Sequence, residues 1–185
     1  IGIIIVVGWN FWKNYQKDMA LESSALFGQL LIAVNENKTE SVQKISERLM
    51  ENYGSTSYAD YSGFIQAKAK VHAGEFDEAK TILKGLIDTA DDNLKQIARM
   101  RLIRLQLATE EYEQGLQLIA EVDASRLKSY EAGYEELKGD LYVALDRIGE
   151  ARTAYQNALR LGQRTPLLQY KIDDVTAPEI FENIK

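Results

Sequence analysis

The sequence predicts an all-α fold, a stack of helical hairpins preceded by the end of a very apolar helix. Three observations point there. Past residue 20, apolar positions recur at helical spacing almost everywhere. Only two prolines and twelve glycines occur in 185 residues, whereas a β-rich domain needs many more turns. And three stretches of the chain align with one another, without gaps, at a constant spacing.

Those stretches are HAGEFDEAKTILKGLI from His72, ATEEYEQGLQLIAEVD from Ala108 and ALDRIGEARTAYQNAL from Ala144, each beginning 36 residues after the last. An aromatic or large apolar residue recurs in them (Phe76, Tyr112, Ile148), with a small one three positions later (Ala79, Gly115, Ala151). Small residues there let two helices approach closely, while larger ones fill the layer between hairpins. Another apolar-periodic helix precedes each stretch, near Tyr58–Val71, Leu94–Leu107 and Tyr130–Val143. A helix–turn–helix unit repeating near 34 residues is the signature of a tetratricopeptide array. The third unit fits it best, with Gly139, Tyr142, Ala151, Tyr155 and Ala158 at the characteristic positions. The first two are degenerate: Ala67 and Ile103 replace the glycine, Lys70 and Gln106 the tyrosine. The predicted architecture is therefore a tetratricopeptide-like helical-hairpin solenoid.

Taken in order, the chain divides into four parts. Residues 1–12 read as the C-terminal part of a transmembrane helix. Ile1, Ile3, Ile4, Ile5, Val6 and Val7 form an apolar run, and Trp9, Phe11, Trp12 and Tyr15 follow just before Lys13 and Lys17. A span needs about 20 apolar residues, so the expectation is a helix whose last turns alone are present. Tryptophan and tyrosine settle at the membrane–water interface, with lysines outside it, which makes Trp9, Phe11, Trp12 and Tyr15 the candidate membrane-interface residues. Residues 13–57 read as an amphipathic helix and a degenerate helical pair, ALFGQLLIAV and SVQKISERLM, joined by NENKTE. Residues 58–160 hold the three repeats. In residues 161–185, Pro166 starts PLLQYKIDDV, expected to cap the last hairpin, and the tail EIFENIK follows Pro178.

Composition narrows the function. The chain carries 22 basic and 28 acidic residues, a net charge of -6, and no concentrated basic surface for phosphates, so a nucleic-acid partner is not expected. Without cysteine, disulfides, thiolate catalysis and cysteine zinc sites are excluded. His72 is the sole histidine and reads as the end of a repeat helix. DTADDN (Asp88 to Asn93) lacks the glycine and the glutamate of a calcium loop, and Asp91 or Asp92 reads instead as a helix cap. With no nucleophile, phosphate-loop or dinucleotide motif, the expectation is a protein that is not an enzyme and has no cofactor, metal or small-molecule substrate.

The expected working surface is the groove lined by the first helix of each hairpin. Its candidate residues are Tyr61, Phe64, Lys68 and Val71 in the first unit, Ile97, Met100, Arg104 and Leu107 in the second, and Glu136, Asp140 and Val143 in the third. Such a groove is apolar with aromatic and methionine patches and runs from basic to acidic, which suits peptides or partner helices. On this reading Phe64→Ala with Met100→Ala weakens binding without unfolding the domain. The alternative is that these positions are core, covered by the N-terminal helix or the C-terminal tail. A clamp for a terminal carboxylate would need asparagines beside Lys68 and Arg104, and they are absent.

The order of features, with DDNLKQIARMRLIRLQL and LKGDLYVALDRIGEARTAYQNAL, resembles the YfgM-type family of bacterial inner-membrane proteins, the ancillary SecYEG translocon subunits. The likeness covers nearly the whole chain and is strongest from Ala90 to Lys171. It implies a single-pass protein with its N-terminus in the cytoplasm and its repeat domain in the periplasm. The partners it implies are SecYEG, a membrane-anchored periplasmic peptidyl-prolyl isomerase-like chaperone and client polypeptides, in an adaptor role during protein export. A repeat scaffold of another envelope complex, for cell-wall synthesis or division, is the alternative that the residues leave open.

Overall fold

The computed structural model describes the backbone of residues 2–123 and 128–176, with side chains from residue 8 onward except at 128. Among the described residues every regular element is helical: α1 (Gly2–Asn35), α2 (Thr39–Asn52), α3 (Ser57–His72), α4 (Phe76–Thr89), α5 (Asp92–Ala108), α6 (Tyr112–Ala120), α7 (Glu131–Ala144), α8 (Ile148–Arg160) and α9 (Pro166–Val175), with one 3-10 turn at Lys128–Tyr130. The tail EIFENIK lies outside the described residues. Two units form, Ile1–Lys95 and Gln96–Lys185.

In the first unit, Leu26, Leu30 and Ala33 recur on one face of α1 and close on Val42, Leu49 and Tyr53, the i, i+4, i+7 spacing that puts side chains one above another. The Tyr53 hydroxyl donates to Glu22 at 3.0 Å and ties the end of α2 back to α1. In the α3–α4 hairpin a Cβ on Gly63 would stand 3.0 Å from Leu86, so the missing side chain sets how closely the two helices approach.

The second unit builds one core from Ile103, Tyr134, Leu137 and Leu141, and another from Ala151, Tyr155, Ala158, Leu168 and Val175. Gly139 has the closest approach of all: a Cβ there would fall 2.3 Å from the Tyr155 ring. The small residues read from the repeats, Ala79, Gly115 and Ala151, are all buried.

The hairpin turns share one device. Asn37, Gly74, Glu110 and Asp146 have φ of 54°, 78°, 61° and 58°, and the last three lie 36 residues apart. At each turn the next residue's N–H reaches five residues back, as from Glu75 to Lys70 (2.9 Å), Glu111 to Gln106 (2.8 Å) and Arg147 to Tyr142 (2.8 Å). This is the Schellman arrangement, which satisfies the last carbonyls of each first helix. Among the described residues two helix starts are capped by side chains. Asp91 Oδ1 accepts from the N–H groups of Asn93 and Leu94 at 2.9 and 3.0 Å, which selects Asp91 over Asp92 as the cap. Thr165 Oγ1 accepts from Leu168 N–H at 3.1 Å, ahead of Pro166 in the first turn of α9.

The N-terminal aromatics ride on α1, a single 34-residue helix. Trp9, Phe11, Trp12 and Tyr15 are all more than half exposed, and the two indoles lie 5.4 Å apart. Among the described residues no helix is long and apolar enough to cross a membrane; the side chains of the opening run, Ile1 to Val7, lie outside those described.

Candidate functional site

The inner faces of the first helices are partly covered in each unit, and by different chemistry. On α3, Tyr61 is 43% exposed and its ring lies 6.1 Å from that of Phe27 on α1, which also meets Tyr58 at 5.5 Å. Lys68 is open to solvent and Val71 exposed. Phe64 is 7% exposed and belongs to the core. Its truncation would leave a cavity and cost stability, so it is unsuited to testing binding in a folded domain.

On α5, Ile97 and Leu107 are half-buried and Arg104 is exposed. Met100 is half-buried against the Ile103–Tyr134–Leu137–Leu141 core. A Cβ on Gly133 would stand 2.6 Å from its terminal methyl. Met100 is therefore largely a packing residue, lodged over a glycine of α7.

On α7, Val143 is exposed, but Glu136 and Asp140 already have an occupant. Lys171 of α9 donates to Glu136 Oε1 at 2.7 Å and to Asp140 Oδ2 at 2.8 Å. The Tyr155 hydroxyl donates to Asp140 Oδ1 at 2.8 Å, and Gln163 donates to Glu136. Arg152 fixes the far end of α9 by donating twice to the Val175 carbonyl. Burial lowers the Lys171 pKa, but its hydrogen bonds to Asp140 and Glu136 outweigh that and hold the ammonium above the ordinary lysine value. Burial, then the hydrogen bond to Asp140, raises the Tyr155 phenol. The two carboxylates at the acidic end of the inner face are thus engaged from within the chain, by one ammonium and two neutral donors.

The signal for Lys171 was present in the sequence as an amphipathic turn. Leu168, Ile172 and Val175 mark the buried face of PLLQYKIDDV, and Lys171 stands beside Ile172 at its edge. Which carboxylates it meets depends on how α9 folds back over α7 and α8, and no spacing rule supplies that. His72 closes α3 and is exposed. No group of three or more histidine, cysteine, aspartate or glutamate side chains among the described residues could hold a metal.

Hairpins that repeat every 36 residues, with side chains that pack and pair, define a helical-repeat protein whose working surfaces are helix faces. The family model described as a tetratricopeptide repeat-like domain matches residues 1–177, and the chain belongs to that family. It is 25% identical over 181 residues to a protein of Escherichia coli (strain K12) named ancillary SecYEG translocon subunit, covering 95% of this chain and 85% of that one. A protein of Haemophilus influenzae with the same name is 23% identical, over 89% of this chain and 79% of its own length. These relatives support the family likeness drawn from the motifs. A solved structure, the MamA RS-1 ArsTM double mutant, shares the fold with a TM-score of 0.63 at 13% identity, over 83% of this chain and 82% of that chain. The family places the chain among non-catalytic protein-interaction modules.

Proposed function

We propose that the chain is a membrane-tethered adaptor that associates with the SecYEG translocon through exposed positions of its repeat helices. The observation that carries this reading is its likeness to two ancillary SecYEG translocon subunits over most of its length, on a helical-repeat fold. The binding positions proposed are those that remain reachable: Tyr61, Lys68 and Val71 on α3, Ile97, Arg104 and Leu107 on α5, and Val143 on α7.

The tether is the aromatic N-terminal end of α1, with Trp9, Phe11, Trp12 and Tyr15 at the membrane interface. The repeat domain stands in the periplasm of the inner membrane. There it hands exported chains to a membrane-anchored peptidyl-prolyl isomerase-like chaperone. Confinement beside an exit channel raises the effective concentration of weak sites, so modest affinity suffices.

The test is affinity purification of the full-length protein from membranes in mild detergent, comparing wild type with Tyr61→Ala/Arg104→Glu. Arg104 is exposed and Tyr61 is 43% exposed; because Tyr61 also meets the Phe27 ring, the variant is compared only after its melting curve shows a folded domain. The expected result is recovery of SecY and the chaperone with wild type and a marked loss with the variant. Recovery of cell-wall or division proteins without any translocon subunit would leave the fold standing and remove this function.

A further inference from the structure

The second surface lies on the opposite side of α7. Glu136, Asp140 and Val143 mark one face of that helix, whereas Glu131, Tyr134, Glu135, Lys138 and Tyr142 fall on the other by helical spacing. That other face and α6 border an open cleft of about 850 Å³. The cleft exists because α6 is short. It spans 9 residues where its counterparts α4 and α8 span 14 and 13, so it is about one turn too short to cover α7. Gly115 lets α6 press onto Leu141, where a Cβ would fall 2.9 Å away. This fixes the start of α6 against α7.

The floor is apolar, made by the half-buried Leu116 and Ile119 of α6 and the edge of Tyr142 on α7. Tyr134 lies beneath the floor, 2% exposed and with its hydroxyl donating to Gln96 at 2.7 Å, so it supports the cleft rather than offering surface to a partner. The rim is acidic. Among the described residues Glu113, Glu131 and Glu135 border it with a single lysine, Lys138; Glu135 is engaged by Lys138 at 3.3 Å and by Asn157 at 2.8 Å, which leaves Glu113 and Glu131 as the rim's carboxylates. Arg147, over the Tyr142 ring at 4.6 Å, is paired with Glu150. Along α6 the cleft runs from Glu113 to Val122, about 14 Å, or two to three turns of a facing helix.

We propose that this cleft docks a basic amphipathic helix: leucine-like anchors at i, i+3, i+4 and i+7 on the floor, lysine or arginine against the Glu113–Glu131 rim. It is a site separate from the inner-face positions, and it stands whether or not the translocon is the partner.

The test uses the whole chain and two fluorescein-labelled helical peptides of about fourteen residues, one leucine/lysine and one leucine/glutamate, read by fluorescence anisotropy. The lysine peptide is expected to bind saturably and the glutamate peptide not to bind. Ile119→Arg, read only if its melting curve shows a folded domain because Ile119 packs on the core, is expected to weaken the lysine peptide about tenfold, and Glu113→Lys, on an exposed position, about threefold. Tyr61→Ala is expected to change nothing. No saturable binding, equal binding of the glutamate peptide, or an unchanged affinity in Glu113→Lys would overturn the proposal. So would a concentration-dependent dimer in sedimentation that Ile119→Arg abolishes, since the occupant would then be a second copy of the chain.

Discussion

At one repeat position the first unit carries Lys68, open to solvent, and the second carries Asp140, locked to Lys171. The hairpins share a period, a turn geometry and a packing scheme, yet α3 is partly covered by an aromatic contact and α7 is bound to α9 by ions. Phe27 against Tyr58 and Tyr61 is a contact of ring edges and faces, indifferent to pH and salt. Lys171 between Glu136 and Asp140 holds only while all three are charged. Degenerate repeats thus keep the backbone plan and vary what covers the inner face. The units should accordingly fail under different conditions.

The sharpest way to break the first unit is Phe64→Ala. Because the side chain is buried, the expected loss is about 3–4 kcal/mol, measured by urea unfolding. A loss under about 1 kcal/mol would return Phe64 to the groove. In the second unit, Gly139→Ala drives a methyl into the Tyr155 ring and is expected to cost about 2–3 kcal/mol, read from the melting temperature. Lys171→Met leaves two half-buried carboxylates facing each other and is expected to cost about 1–2 kcal/mol, less than for a fully buried pair because solvent still screens the site.

The ionic contact also predicts a pH dependence, and its sign follows from the two raised groups. Lys171 is held above its ordinary value, so its contribution is complete below about pH 10.4 and is lost as pH rises through the folded value. Tyr155 stays protonated in the folded chain while the unfolded phenol ionises above about pH 10, which acts in the same direction. Melting curves at pH 8 and pH 11 should therefore show a larger alkaline loss for wild type than for Lys171→Met. Equal losses would mean that the ammonium does not hold α9. The smallest effect is a gain. Glu110 sits at φ 61°, in the left-handed region, and Glu110→Gly should stabilise by about 0.5–1 kcal/mol, as relief of strain exceeds glycine's entropy cost.

Much of this was legible in the sequence. The 36-residue spacing, the small residues Ala79, Gly115 and Ala151, and the capping helix at Pro166 all depend on local periodicity, and each element appears where that periodicity puts it. The turn register at Gly74, Glu110 and Asp146 was hidden because only one of the three is glycine, so the repeated conformation leaves no repeated residue. The inner face was legible only as a list of positions. Phe64 and Lys68 share a helix face, and only the packing of α1 and α4 decides that one is core and the other open. Asp140 looked available because its partner lies 31 residues away, on a helix whose docking no spacing rule supplies.

The most direct test of the account is photo-crosslinking in membranes. A photoreactive residue is placed at Tyr61 in one full-length variant and at Asp140 in another. The account predicts crosslinks to translocon subunits from position 61 and none from position 140, where α9 stands in the way. Crosslinks from position 140 alone, or none to the translocon from either, would contradict it.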